Sequence, residues 1–129
     1  MIPCPKSVII AGAHLVKIRH AVKSVDDAKH VGLDHEDLGA MNAAFKETRK
    51  YIEAAMLELR AEGIFDMEFG PGLLHFSHGW DAHNQGDSLR AWAEILTSHD
   101  CFRRVLHMNG IANPTNNEIA SVIGYGNWR

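Results

Sequence analysis

The stretch LGAMNAAFKETRKYIEAAMLEL, residues 38–59, carries the clearest apolar pattern in the chain. Its seam residues follow one another at spacings of 3, 4, 3, 4, 3 and 4, and they are Leu38, Met41, Phe45, Thr48, Ile52, Ala55 and Leu59. This repeat predicts a helix that buries one face, begins after Asp34 and ends at Gly63. The seam could bind another helix of the same chain or a second copy, and in 129 residues the first arrangement is favoured.

Three further helices are predicted, one before this helix and two after it. The first runs from Val8 to about Val25, where apolar residues recur at helical spacing. A second strong helix follows Asp87, a suitable N-cap, and continues to about Met108. The stretch Thr115–Glu118 has the sequence of a capping box, and it predicts a short helix that ends at Gly124.

Residues 64–78 change period and predict a small β-hairpin. Phe65, Met67 and Phe69 alternate with polar residues, and Leu74 and Phe76 do so after a Gly-Pro-Gly sequence. Two short alternating runs around a glycine-rich turn are typical of a hairpin. The expected fold is therefore mainly α: residues 1–129 form a single helical domain, with three longer helices, a short C-terminal helix and this hairpin.

Composition indicates an ordinary globular protein, with 46% hydrophobic and 22% charged residues and a net charge of −3. Charge is nevertheless segregated, since residues 1–33 carry five Lys or Arg against two acids and residues 34–70 carry nine acids against four. The basic segment could lie against the acidic helix or form a surface for a partner. Two cysteines in no paired motif indicate reduced thiols and a cytoplasmic protein, and no stretch is apolar enough for a transmembrane helix.

The stretch HFSHGWDAHNQGDS, residues 75–88, is the candidate site. It holds the potential metal ligands His75, His78, Asp81 and His83. Imidazole and carboxylate groups suit zinc, iron or nickel. If residues 73–78 form a strand, however, His75 and His78 face opposite sides. The favoured interpretation is therefore a solvated polar loop. A third interpretation, besides this loop and a metal site, is a histidine-rich contact surface for a partner or small ligand.

The other histidines give weaker indications. His14 and His20 are six residues apart, which on a helix places them on different faces. His30 and His35 are further possible ligands. His99 falls on the apolar stripe of the helix after Asp87, where a hydrogen-bonded core histidine is expected.

Sequence motifs for nucleotide binding or nucleophilic catalysis are missing, since the chain has no Walker A, Gly-x-Gly-x-x-Gly or Gly-x-Ser-x-Gly sequence. The C-terminal stretch NPTNNEIASVIGYGNWR resembles the first helix and turn of helix-turn-helix DNA-binding domains. That resemblance implies a recognition helix after Gly124, but five residues follow. Nucleic acid is therefore not the expected partner, and a capped docking helix is the favoured interpretation.

Two function classes follow from these patterns. The favoured one is a small interaction or regulatory protein, of accessory or inhibitor type, that binds a protein partner or a second copy through charged helix faces and the histidine-rich loop. The alternative is a small metal-dependent hydrolase with its site at residues 75–87 and a divalent metal as its cofactor.

Overall fold

The computed structural model describes residues 2–23, 38–64 and 67–124, which form five helices. They are α1 (Lys6–Lys23), α2 (Leu38–Ala61), α3 (Phe69–Asn84), α4 (Ser88–Met108) and α5 (Asn116–Ile123). These ranges contain no β-strand, which confirms the mainly α class. Within them, no helix has both the length and the apolarity needed to cross a bilayer. The predicted N-cap Asp34 and the possible ligands His30 and His35 lie outside the described residues.

The seam of α2 is buried inside the chain. All of its described side chains are buried, and they are Met41, Phe45, Thr48, Ile52, Ala55 and Leu59. The helix packs on α1 and α3. The intrachain packing favoured from the sequence is therefore confirmed for this seam. Gly63 follows the helix at φ +84°, a left-handed conformation that suits glycine at a helix end.

The central element is α1, which packs against α2, α4 and α5. Its buried residues fall all around the helix, as expected of a helix surrounded by neighbours. They include Arg19, whose Nη1 donates a hydrogen bond to Nδ1 of His99 at 3.0 Å. The prediction of His99 as a hydrogen-bonded core histidine is confirmed.

The predicted β-hairpin at residues 64–78 is wrong, because residues 69–84 form the helix α3. Pro71 stands in the first turn, where its missing N–H costs the helix no hydrogen bond. The Gly-Pro-Gly sequence therefore begins a helix instead of making a turn between strands. Phe65, part of the predicted first strand, lies outside the described residues.

Glycines on α3 let it approach α4 closely. A Cβ on Gly79 would lie 2.7 Å from Cγ1 of Ile95, and one on Gly72 would lie 3.1 Å from the ring of Phe102. Ser98 of α4 donates a hydrogen bond to the carbonyl of Gly72 at 2.7 Å. Gly72 pairs with residues late in α4 and Gly79 with residues early in it, so the two helices are antiparallel.

The last two helices, α4 and α5, have the caps that the sequence predicts. The Asp87 carboxylate accepts a hydrogen bond from the backbone N–H of Arg90, which confirms the predicted N-cap of α4. The capping box of α5 is complete between Thr115 and Glu118, and Gly124 ends that helix at φ +70°. Near the N-terminus, Ile2 makes a parallel bridge with Ile111.

The buried side of α4 differs from the predicted stripe at its N-terminal half. The apolar spacing of the sequence places Leu89 on that stripe, yet it is 76% exposed, whereas Ala91, Ile95 and Ser98 are buried. Ala91 and Ser98 are small and match the glycines of α3, because the distance between two packed helices depends on the size of the side chains at their contact.

The substitution Gly79→Ala is expected to lower the free energy of unfolding by about 1–2 kcal/mol. Overpacking a close contact costs about 1–3 kcal/mol, and the better helix propensity of alanine returns up to about 1 kcal/mol. The control is Gly70→Ala in the same helix, where a Cβ would meet no described atom within 4 Å. Urea denaturation would measure both, and equal stability of the two variants would contradict the close packing.

Candidate metal centre

Three side chains that can bind a metal meet where α3 and α4 pack. His75 and His78 come from α3, and Glu94 comes from α4. The Nδ1 atom of His75 lies 2.8 Å from Oε2 of Glu94, and the Nδ1 atom of His78 lies 3.7 Å from the same oxygen. Ligand atoms of all three residues lie within 4.8 Å of one another. We refer to these three residues as the His-His-Glu cluster.

Helical geometry explains why His75 and His78 lie together. Each residue turns an α-helix by about 100°, so residues three apart differ by about 60°. In a strand the same pair would face opposite sides, which was the objection raised from the sequence. The correction of the hairpin to a helix removes that objection. The two rings stand edge to face with centroids 6.1 Å apart.

The other two sequence-predicted ligands, Asp81 and His83, lie elsewhere on α3. Asp81 is exposed and lies about 120° around the helix from His75. His83 is buried, and its ring lies 5.4 Å from that of Phe45 on α2. Among the described residues, neither joins the His-His-Glu cluster.

Glu94 was missed because it lies on another helix. The ligands considered from the sequence were residues of the 75–88 stretch and other histidines, whereas antiparallel packing brings Glu94 beside His75. A Cβ on Gly79 would lie 3.4 Å from Cβ of Glu94, so the glycine leaves room for this approach. An available signal was the small residues of both helices, Gly72 and Gly79 on α3 and Ala91 and Ser98 on α4. Pairing these in antiparallel order puts residue 75 opposite residue 95, next to Glu94.

The cluster is partly exposed. The side chains of His75, His78 and Glu94 are 35%, 43% and 23% exposed. A metal could therefore reach them from solvent, and part of its coordination shell would remain open. In a tetrahedral zinc site with bonds of about 2.0–2.2 Å, neighbouring donor atoms are roughly 3.3–3.6 Å apart. The observed His75–Glu94 and His78–Glu94 separations of 2.8 Å and 3.7 Å lie on either side of that range, and a metal would take the place of the His75–Glu94 hydrogen bond.

A second polar group, which includes a thiol, lies further along the α3–α4 contact. Arg104 of α4 donates hydrogen bonds to Oε2 of Glu68 at 3.2 Å and to Sγ of Cys101 at 3.3 Å. Burial raises the pKa of the Cys101 thiol, and burial likewise raises the pKa of Cys4 to about 12. Because nucleophilic cysteines need a lowered pKa, these two thiols are suited to packing. Consistent with this, the Cys101 side chain is buried.

The described helices and the His-His-Glu cluster together define a mainly helical chain with a candidate metal centre between two antiparallel helices. Comparison of the chain with protein-family models, curated proteins and solved structures found no match. The functional argument therefore depends on the chemistry of the cluster.

Proposed function

We propose that this protein binds one divalent transition-metal ion through His75, His78 and Glu94. The observation that carries the proposal is the convergence of two imidazoles and a carboxylate, from two helices, within 4.8 Å. Two nitrogen ligands and one oxygen ligand suit zinc, iron(II), cobalt or nickel better than calcium or magnesium, which prefer oxygen.

The ligand count also favours the metal-dependent hydrolase over a purely structural metal site. Structural zinc sites have four protein ligands, whereas catalytic sites commonly have three and leave a position for water. A bound divalent ion lowers the pKa of such a water and supplies hydroxide near neutral pH. The protein would contribute the three ligands and the partly exposed setting that admits a substrate.

The test is metal binding by the untagged chain, purified without chelators. Elemental mass spectrometry should find about one metal per chain, and calorimetry should find one site for Zn²⁺. Each of His75→Ala, His78→Ala and Glu94→Gln should weaken binding roughly 10–100-fold, at least as much as loss of a second-shell partner typically does. Glu94→Gln is the most informative, because it keeps the size of the side chain and removes its charge.

Matched controls are Asp81→Asn on α3 and His107→Ala, which removes an exposed histidine from α4. Both should retain wild-type affinity. The proposal fails if the three ligand variants bind Zn²⁺ as the wild type does, or if the controls weaken binding equally. Hydrolase activity is a separate readout: metal-dependent cleavage of a model ester or phosphoester should be lost in Glu94→Gln.

The interaction or regulatory function remains the second candidate, and one observation favours it. The outer side of α2 keeps a large apolar side chain, Leu57, 65% exposed among charged residues. Together with Met56 and Leu73 it lines a groove flanked by Glu53 and Arg60, and apolar contacts with a polar rim are the arrangement found at protein interfaces. Under this proposal a macromolecular partner binds the charged faces of α2 and the exposed part of α3.

A further inference from the structure

The outer face of α2 has an apolar projection and an apolar groove side by side. Leu57 projects into solvent, and a shallow groove runs next to it between α2 and α3. The groove is lined by Glu53, Met56, Leu57, Arg60 and Leu73. This face is separate from the buried α2 seam and from the His-His-Glu cluster.

We propose that this face binds the same face of a second copy of the chain, with α2 antiparallel to α2 about Leu57. A two-fold interface is self-complementary, since each surface must supply both the projection and the groove that receives it. Here Leu57 of one copy would enter the groove of the other. Ala54 and Ala61, exposed on either side of Leu57, would let the two helices approach closely.

The charges of Glu53 and Arg60 favour binding of a second copy in the antiparallel orientation. Glu53 precedes Leu57 by four residues, and Arg60 follows it by three. Antiparallel pairing about Leu57 therefore places Glu53 of each copy within one residue of Arg60 of the other, whereas parallel pairing would oppose like charges. Glu53 also bonds Arg49 at 3.0 Å, and Arg60 lies over the Phe69 ring, but both side chains remain exposed.

The first test is sedimentation equilibrium of the full chain across a wide concentration range, in chelator so that metal cannot link copies. The wild type should form a reversible dimer. Leu57→Lys should weaken it by about tenfold or more, since a buried charge in the interface would lack a partner. The matched control is Leu89→Lys on α4, where another exposed leucine should be replaceable without effect.

Charge reversal provides the second test. Glu53→Arg and Arg60→Glu should each weaken the dimer, while the double variant should recover most of the wild-type association because opposite charges face each other again. Circular dichroism checks that every variant is folded. A wild type that stays monomeric at all concentrations would overturn the proposal, as would a dimer unaffected by Leu57→Lys or a double variant weaker than both singles. Because chelator is present, failure here leaves the metal proposal intact.

Discussion

Phe45→Ala is expected to lower the free energy of unfolding by about 3–5 kcal/mol, the usual cost of removing a fully buried aromatic side chain. Phe45 of α2 is fully buried, and its ring contacts three rings of α3. The centroids of Phe76, Trp80 and His83 lie 5.7, 5.6 and 5.4 Å away. The substitution would therefore leave a cavity between the two helices and remove the ring contacts that join them.

Urea denaturation followed by circular dichroism would measure this loss. Phe45→Leu should cost less, since leucine refills much of the cavity. The exposed control Lys46→Ala, one residue further along α2, should change stability by less than about 0.5 kcal/mol. A loss below about 1 kcal/mol for Phe45→Ala would contradict the packing of α2 on α3 through this residue.

The sequence correctly predicted those helices whose spacing and capping residues lie within or beside the helix itself. The seam from Met41 to Leu59 has helical spacing throughout, and Gly63 gives α2 its end. Asp87 caps α4 through its own carboxylate, and the Thr115–Glu118 box caps α5. In each case the decisive hydrogen bond or spacing lies within a few residues, so sequence alone can show it.

Sequence failed at α3 because the decisive contacts lie on another helix. Gly72 and Gly79 weaken a helix in isolation, and together with Pro71 they suggested a turn. In the structure these glycines face α4, and the close approach they allow offsets their poor propensity. The exposure of Leu89 has the same explanation, because the small residues of α4, and not Leu89, face α3.

The sequence predicted the two histidines of the candidate site but not Glu94, because Glu94 lies on another helix. His75 and His78 are close in sequence, and their helical spacing places them together once α3 is known to be a helix. Glu94 depends on the register of α3 against α4, in which Gly72 and Gly79 leave room for Phe102 and Ile95 where a Cβ would clash. The glycines that obscured the helix are therefore the residues that bring the carboxylate to the histidines.

His99→Leu is expected to lower the free energy of unfolding by about 3 kcal/mol near neutral pH. A hydrogen bond to a charged group contributes about 1.5–3 kcal/mol, and an unsatisfied buried donor costs about 1–3 kcal/mol. The variant removes the acceptor that Nη1 of the buried Arg19 uses. The control is His107→Leu, at an exposed position of the same helix, where stability should change little.

The cost of His99→Leu should shrink as the solution becomes acidic. Burial, followed by the positive charges of Arg19 and Arg103, holds the pKa of His99 well below its usual value of 6.5. The unfolded chain therefore takes up a proton at His99 before the folded chain does, so the wild type loses stability as pH falls below about 6.5. This loss approaches about 1.4 kcal/mol per pH unit until the folded pKa is reached, and the leucine variant lacks it. Urea denaturation of both proteins from pH 7.5 to about pH 5 would measure the difference. Other histidines, including His14, cancel in the comparison, so a difference that stays constant with pH would contradict a neutral, buried His99.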